Sequence, residues 1–239
     1  MTRYDSFAPF YDHVVGSRDS IGRLLQQLVK RYNPKAKNLL ELGCGSGSML
    51  AILSKRYETV GIDNSKGMLS IARKKAPRAR LLHADITSFR LTERFDAIVC
   101  PFDTINHVTS FTKWKRVFER AHEHLHPGGV FIFDVNTEYK MEEYSSDPVT
   151  ADVEDDVVSM VQVKRRRRYH YDVILRLFRR RHGKNFVLDE MVLPELVVPT
   201  ATILQELSKY FRKVTLVDPD RRKPTAHTEE LFFVCREPR

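Results

Sequence analysis

Asn38-Leu39-Leu40-Glu41-Leu42-Gly43-Cys44-Gly45-Ser46-Gly47 is the stretch on which the fold of this chain turns. It opens as a short apolar run, the signature of a buried strand, and closes with a glycine at every second position. Glycine adopts positive φ without strain and carries no Cβ, so a ligand can lie close to the backbone where the following helix, expected over residues 48–57, begins. The same pattern also serves a tight strand-to-helix turn that holds nothing. The decision therefore lies further along the chain.

Thr59-Val60-Gly61-Ile62-Asp63 is a second apolar run, ending in a carboxylate about twenty residues past the glycines. In a Rossmann-like unit an acid at that place sits beside the glycine turn and accepts hydrogen bonds from both hydroxyls of a ribose. Asp63 would equally serve as the N-cap of a helix over residues 66–76. A third run, Arg80-Leu81-Leu82-His83, leads into Ala84-Asp85-Ile86. There Asp85 can take the exocyclic amine of an adenine while Ile86 packs on the ring, or it can be an ordinary turn residue. The fourth run, Phe95 through Cys100, enters the loop Pro101-Phe102-Asp103-Thr104-Ile105-Asn106-His107. A helix is expected over 112–124, a turn at His126-Pro127-Gly128-Gly129, and a fifth strand over 130–135. Strand and helix alternating in this way predict a parallel, doubly wound sheet whose ligands gather at the C-terminal strand ends.

Upstream, Tyr4, Phe7, Phe10 and Tyr11 alternate with acids ahead of an amphipathic helix over 20–32, with Ser20 as its expected cap. The bland role of those aromatics is to staple that helix to the core. Downstream, a helix over 200–210 and strands over 213–217 and 230–235 complete the chain. Between them residues 137–199 are too long for a simple connection. Tyr169, Tyr171, Val173, Leu175 and Leu177 alternate with mostly polar neighbours, and His182-Gly183-Lys184 is an expected hairpin turn before a strand around 185–193.

The chain's 239 residues, 42% of them hydrophobic, suffice for one substantial core. No run approaches the ~18 apolar residues of a membrane span, and the polar start lacks the apolar segment of a signal peptide, so a cytoplasmic protein with no membrane partner is expected. Cys44, Cys100 and Cys235 are scattered without metal or disulfide spacing; packing thiols and no metal are expected. The net charge of +9 is concentrated: residues 164–184 hold ten basic side chains and one acid, Asp172. That run fits a solvated rim paired with Asp152, Glu154, Asp155 and Asp156 or with a neighbouring subunit, and it also fits an anionic small substrate or nucleic acid.

Glu41-Leu42-Gly43-Cys44-Gly45-Ser46-Gly47, Gly61-Ile62-Asp63, Ala84-Asp85-Ile86 and His126-Pro127-Gly128-Gly129, in this order, resemble the motifs of the class I S-adenosylmethionine-dependent methyltransferases, and the match runs from Asn38 to Asn136. A nicotinamide enzyme shares the acid after the second strand, but the glycines here run Gly43-x-Gly45-x-Gly47 rather than GxGxxG. The resemblance implies a Rossmann-like, doubly wound seven-stranded sheet with an antiparallel last strand, formed by residues 1–137 and 199–239, and an inserted antiparallel β subdomain at 138–198 of the kind found in aminosugar N-methyltransferases. It implies S-adenosylmethionine as cofactor, held by Tyr11, Glu41, Gly43, Gly45, Gly47, Asp63, Asn64, Met68, Asp85, Ile86 and Pro101. Phe102, Asn106 and His107 are the implied acceptor contacts. His107 and Tyr11 are the catalytic candidates, with Asp103 as an alternative base and a plain loop histidine as the other reading of His107.

The expected activity is N- or O-methylation of a small molecule, with the inserted subdomain as a homodimer contact. The alternatives are an RNA-modifying enzyme guided by the basic hairpin and a non-catalytic S-adenosylmethionine binder. Cys100-Pro101-Phe102-Asp103 lacks the leading Asn/Asp and second Pro of exocyclic base methylation and reverses the Pro-Cys order of cytosine C5 chemistry, which disfavours nucleic acid.

Overall fold

The computed structural model describes residues 18–146, 149–154, 157–182, 185–221 and 223–239; the aromatic lead-in, Tyr11 included, lies outside them. In chain order the elements are α1 (Asp19–Tyr32), β1 (Asn38–Leu42), α2 (Ser48–Leu53), β2 (Glu58–Asp63), α3 (Lys66–Lys75), β3 (Arg80–His83), β4 (Phe95–Cys100), α4 (Phe111–Glu123), β5 (Leu125–Asn136) and α5 (Glu138–Ser146). They continue with β6 (Thr150–Glu154), β7 (Val157–Arg167), β8 (His170–His182), β9 (Asn185–Leu196), α6 (Thr200–Leu207), β10 (Phe211–Val217) and β11 (Glu230–Pro238). Seven strands form one sheet in the order β10-β11-β5-β4-β1-β2-β3. β1 to β5 run parallel, and β11 is antiparallel to both β5 and β10. The order reverses between β1 and β4, which opens a crevice at their C-terminal ends.

The two faces of this sheet explain the unbroken apolar strands. Side chains alternate across a strand, so Leu39, Ala97, Val99, Ile132 and Val234 pack beneath Leu25, Leu28 and Val29 of α1. Leu40, Ile98, Phe131 and Phe133 face Trp114, Val117 and Phe118 of α4 and Ile203 and Leu207 of α6. With helices on both faces, polar alternation has no place in the central strands. Phe133 and Phe233, opposite each other in the β5–β11 register, stack with centroids 4.8 Å apart.

Several expected boundaries move. α1 begins at Asp19 with Arg18 as its cap residue, placing Ser20 inside the helix. α2 is six residues long, because residues 54–57 turn to enter β2, with Tyr57 N donating to Leu53 O at 3.0 Å. The His126 to Gly129 turn is part of β5, and a register shift against β4 absorbs it, with Gly128 at φ 80°. Cys44, Cys100 and Cys235 are free and buried.

A separate antiparallel sheet, β6-β7-β8-β9, follows α5. Val173, Leu175 and Leu177 share a face with Met191 and Leu193, while Tyr171 packs with Met141 of α5 and Val163. Tyr169 is not in the strand; it turns the chain between β7 and β8 at φ 64°. His182 pairs with Asn185 across the expected hairpin turn, whose Gly183 and Lys184 lie outside the described residues. The β6–β7 register sets Asp152 against Ser159, while Asp155 and Asp156 of the acidic stretch lie outside the described residues. Glu142, Asp172, Glu190 and Asp189 pair with Arg165, Arg166, Arg176 and Arg179. The end of β9 enters the core: Leu196 N donates to Asn106 O at 2.8 Å.

Candidate active site

The glycine turn is built by β2 as much as by its own sequence. Gly43 N and Cys44 N both donate to Ile62 O, at 2.8 and 2.9 Å, and Gly47 N donates to Cys44 O at 2.9 Å. Gly45 N donates to Asp63 Oδ2 at 2.9 Å, and Ser65 N to Asp63 Oδ1 at 2.8 Å. These amides are satisfied within the chain, so the turn offers a ligand close backbone approach. Ser65, whose Oγ accepts from Met68 N at 3.1 Å, caps α3; Asp63 does not. Gly43, Gly45 and Gly47 have φ of 71°, 51° and 80°. A Cβ on Gly43 would strike Thr104, and one on Gly47 would lie 2.8 Å from Ala72 Cβ, so the third glycine packs the turn onto α3.

A cleft of about 250 Å³ opens at the β1/β4 switch point, lined by Gly43, Gly45, Asp63, Asn64, Met68, Asp85, Ile86, Phe102 and His107. Asp85 Oδ1 accepts from Thr87 N at 2.7 Å, an Asx turn that fixes the carboxylate at the rim. Arg18 lies 4.4 Å over the Phe102 ring, tying the start of the described chain to this wall. Phe102 and Asp103 take φ of 60° and 47°, two adjacent left-handed residues of the kind retained where a site demands them.

His107 stands at the cleft wall with Asp103 Oδ2 at 3.6 Å from Nε2 and Glu195 Oε1 at 4.0 Å from Nδ1. Glu195 arrives on β9, and Asn136 Nδ2 donates to its Oε2 at 3.0 Å; Lys140 Nζ in turn donates to Asn136 Oδ1 at 2.8 Å. Asp103 N donates to buried Asp134 Oδ2 at 2.8 Å. Burial pushes His107 below its ordinary value, against the opposing pull of Asp103 and the Pro194 backbone, which favours a neutral imidazole. Burial raises Glu195, with Asp103 adding to it, and raises Asp134, with Glu230 and Asp103 adding to it. Lys140 stays above its usual range although burial opposes it, because Asp103, Glu230 and Glu195 surround it. The walls of this recess thus hold an excess of acid around one lysine and one histidine.

A family model described as a methyltransferase domain matches residues 39–129. Among the solved structures, an S-adenosylmethionine-dependent methyltransferase from Clostridium acetobutylicum superposes with a TM-score of 0.83 at 23% identity, covering 98% of this chain and 99% of that one. This is a class I methyltransferase fold. DesVI of Streptomyces venezuelae superposes on it with a TM-score of 0.81 at 23% identity, over 99% of this chain and 98% of that one. Among the curated proteins, the dTDP-3-amino-3,6-dideoxy-alpha-D-glucopyranose N,N-dimethyltransferase of Streptomyces fradiae is 39% identical over 111 residues, 46% of this chain and 44% of that protein. The dTDP-3-amino-3,4,6-trideoxy-alpha-D-glucopyranose N,N-dimethyltransferase of Streptomyces venezuelae is 33% identical over 46% of this chain and 47% of that protein. The chain spans about half the length of these two curated relatives.

Within this methyltransferase fold some expected site residues stand back from the cleft. Glu41 is buried beneath the glycine turn, raised by burial and partly offset by the Arg18 charge. Pro101 supports the wall through its carbonyl, which accepts from Thr104 Oγ1 at 2.8 Å. Asn106, expected to touch the acceptor, is fully buried: its Nδ2 donates to Leu196 O at 3.0 Å and its Oδ1 accepts from Asn136 N at 3.1 Å. Its amide bonds the β9 end and β5 to the loop after β4, leaving neither end for a ligand. Thr87, Thr104, Val108, Thr109 and Lys113 line the cleft without having been expected, and Glu195 had no motif to announce it. Tyr11 lies outside the described residues.

Proposed function

We propose that this methyltransferase transfers the methyl group of S-adenosylmethionine to an amine nitrogen of a small-molecule acceptor. The observation that carries the reading is the grouping of His107 with Asp103 and Glu195, donor atoms within 4.8 Å of one another, on the wall of the cleft that Gly43 and Asp63 open. Gly43 and Gly45, which line the cleft without a Cβ, let a cofactor lie close to the backbone. In this reading Asp63 takes the ribose hydroxyls, Asp85 and Ile86 the adenine, Met68 packs beside it, and Gly43 and Gly45 face the methionine portion, a set supported by their shared lining of one cleft.

S-adenosylmethionine supplies an electrophilic methyl whose transfer needs an aligned, neutral nucleophile and exclusion of water. An amine that arrives as an ammonium must lose a proton first. Asp103, beside His107 Nε2, attracts that cation, and neutral His107 takes its proton at Nε2. Asp103 then stabilises the imidazolium. The Streptomyces relatives, named as aminosugar N,N-dimethyltransferases, support an amine over a hydroxyl.

RNA is the weaker partner, since four arginines of the basic hairpin are committed to carboxylates in or beside their own sheet. Residues 138–198 form the acceptor-side unit and 1–137 with 199–239 the cofactor unit. Exposed Phe186 and Leu188 on β9 are where a second copy would sit, which light scattering tests directly. Among the described residues no helix is long and apolar enough to cross a membrane, and we place the reaction in the cytoplasm. The decisive assay follows S-adenosylhomocysteine release with free and nucleotide-linked aminosugars, their hydroxyl counterparts and RNA. Turnover on amines alone is expected; turnover on RNA or only on hydroxyl analogues refutes the reading, and cofactor binding with no turnover on any of them would mark a non-catalytic binder.

A further inference from the structure

Lys140 on α5, Asn136 at the end of β5 and Glu195 near the end of β9 form a chain of hydrogen bonds that leads up to His107 from outside the cofactor cleft. We propose that Glu195 is a positioning residue that works as a carboxylic acid: its Oε1–H donates to Asp103 and holds that carboxylate against His107, while Asn136 and Lys140 leave the proton no other recipient. The proposal rests on the amine-methylating reading above and assigns the residues that hold its base and counter-ion together.

The direction of each bond follows from the donors available. The Lys140 ammonium can only donate, so Asn136 turns Oδ1 to it, at 2.8 Å, and Nδ2 to Glu195 Oε2, at 3.0 Å. Asn136 is itself anchored, its N donating to Asn106 Oδ1 at 3.1 Å. Glu195 therefore meets an N–H at Oε2, and its own proton belongs on Oε1. Oε1 lies 4.0 Å from His107 Nδ1, beyond hydrogen-bond range, so Asp103 is the acceptor within this group, whose donor atoms all lie within 4.8 Å of one another. An Asn136 amide turned the other way would offer its oxygen and draw that proton from Asp103.

Burial decides which carboxyl of the pair keeps the proton. The Glu195 side chain is 2% exposed and that of Asp103 30%. A carboxyl withdrawn from water holds its proton, and a neighbouring carboxylate strengthens that hold. Burial accordingly raises Glu195 well above the carboxylate range, Asp103 adds to it by charge and by hydrogen bonding, and Asn136 and Lys140 pull the other way. The Asp103 backbone is held separately, at φ 47° with its N donating to Asp134 Oδ2 at 2.8 Å, which leaves the side chain to be fixed from β9. Braced in this way, Asp103 Oδ2 sits 3.6 Å from His107 Nε2, the atom that receives the acceptor's proton. The other titratable groups that act on Asp103 are Cys100 on β4, Asp134 on β5, Lys140 on α5 and Glu230 on β11. Lys140, the cation among them, is bonded to Asn136, so the acid proton of Glu195 is what steadies Asp103.

The test follows the His107 imidazole by NMR of the full chain carrying isotope-labelled histidine, without substrate, from about pH 4 to pH 9, with His107→Gln to assign the signal. Asp103→Asn removes the charge beside Nε2 and should lower the His107 midpoint by about one pH unit. Glu195→Gln keeps the shape, the Asn136 bond and an N–H for Asp103, so its midpoint should stay within about 0.3 unit of the parent's. Glu195→Ala lets Asp103 turn to solvent, and its midpoint should fall towards that of Asp103→Asn. A Glu195→Gln midpoint as low as that of Asp103→Asn would show an ionised Glu195, and a Glu195→Ala midpoint equal to the parent's would show that Asp103 needs no brace; either overturns the proposal. Melting temperatures check each fold, and Glu195→Met supplies the same contrast where Glu195→Ala does not fold. With free and nucleotide-linked aminosugars as acceptors, kcat/KM should fall about tenfold in Glu195→Ala and less in Glu195→Gln, with S-adenosylhomocysteine affinity held in both; equal losses in the two overturn the brace. Absence of turnover on any amine would defeat the amine reading, while the His107 titration still decides whether Glu195 braces Asp103.

Discussion

Gly43→Ala tests the crevice at its narrowest point. Gly43 sits at φ 71°, where an alanine costs about 1–2 kcal/mol. Its Cβ would collide with Thr104 Cγ2 and approach Oγ1 to 3.1 Å. Thr104 can yield only by loosening its hydroxyl bond to Pro101 O, about 0.5–1.5 kcal/mol more. The sum, about 1.5–3.5 kcal/mol, corresponds to a melting temperature lowered by about 3–14 °C for a chain of this size. Because Gly43 and Thr104 both line the cofactor cleft, forcing them apart also weakens S-adenosylmethionine, by about tenfold if 1.4 kcal/mol of the strain is released on rebinding the native geometry. Differential scanning fluorimetry and calorimetry measure the two effects. Thr104→Ser in the same chain removes the colliding methyl and should restore the steric share while leaving the φ share, a coupling that a double-mutant cycle extracts. A single variant that melts and binds like the parent, or a double variant that recovers nothing, refutes the geometry.

Asp63→Ala removes the acceptor of both Gly45 N and Ser65 N, and calorimetry should show S-adenosylmethionine weakened by about 30-fold or more, equivalent to ~2 kcal/mol; unchanged affinity would remove Asp63 from the site. Asn106→Ala leaves Leu196 O and Asn136 N without their side-chain partners in the interior, and stability should fall by about 2–4 kcal/mol in urea unfolding. Its cofactor affinity should stay within about threefold, less than ~0.7 kcal/mol, because the side chain does not line the cleft. Glu230 is held above the ordinary carboxylate range by burial. The folded state therefore binds more protons than the unfolded state as pH rises past that range, and the associated stability, present in acid, is lost towards neutral pH. Glu230→Gln has no such loss and also lifts a charge that pushes Asp134 up, so its melting temperature should gain on the parent's between pH 5 and pH 8. A constant or shrinking gap would show that Glu230 is not desolvated.

The cleft at the glycine turn was legible because its determinants are local. Glycines that must turn, an acid at the end of the next strand and an Asx turn after the third all act within a few residues of where they stand, as Gly45 N on Asp63 and Thr87 N on Asp85 show. Asn106 was misplaced for the complementary reason: a polar residue in a loop at a strand end resembles a ligand contact until its two partners, Leu196 and Asn136, are brought against it from 90 and 30 residues away.

The sequence by itself determined the doubly wound parallel sheet and the glycine turn at its switch point, since apolar periodicity and glycine spacing are dictated by backbone sterics and by burial on both faces, and the antiparallel end followed from the resemblance. Only the tertiary structure decided the acceptor side. Glu195 and Lys140 lie on elements remote from the motifs, and their chemistry exists only because β9 ends against the loop after β4. Charge, unlike periodicity, takes its meaning from its neighbours: the same run of arginines is a set of ion pairs at Arg165 and Arg166 and a hydrogen bond to His170 at Arg167.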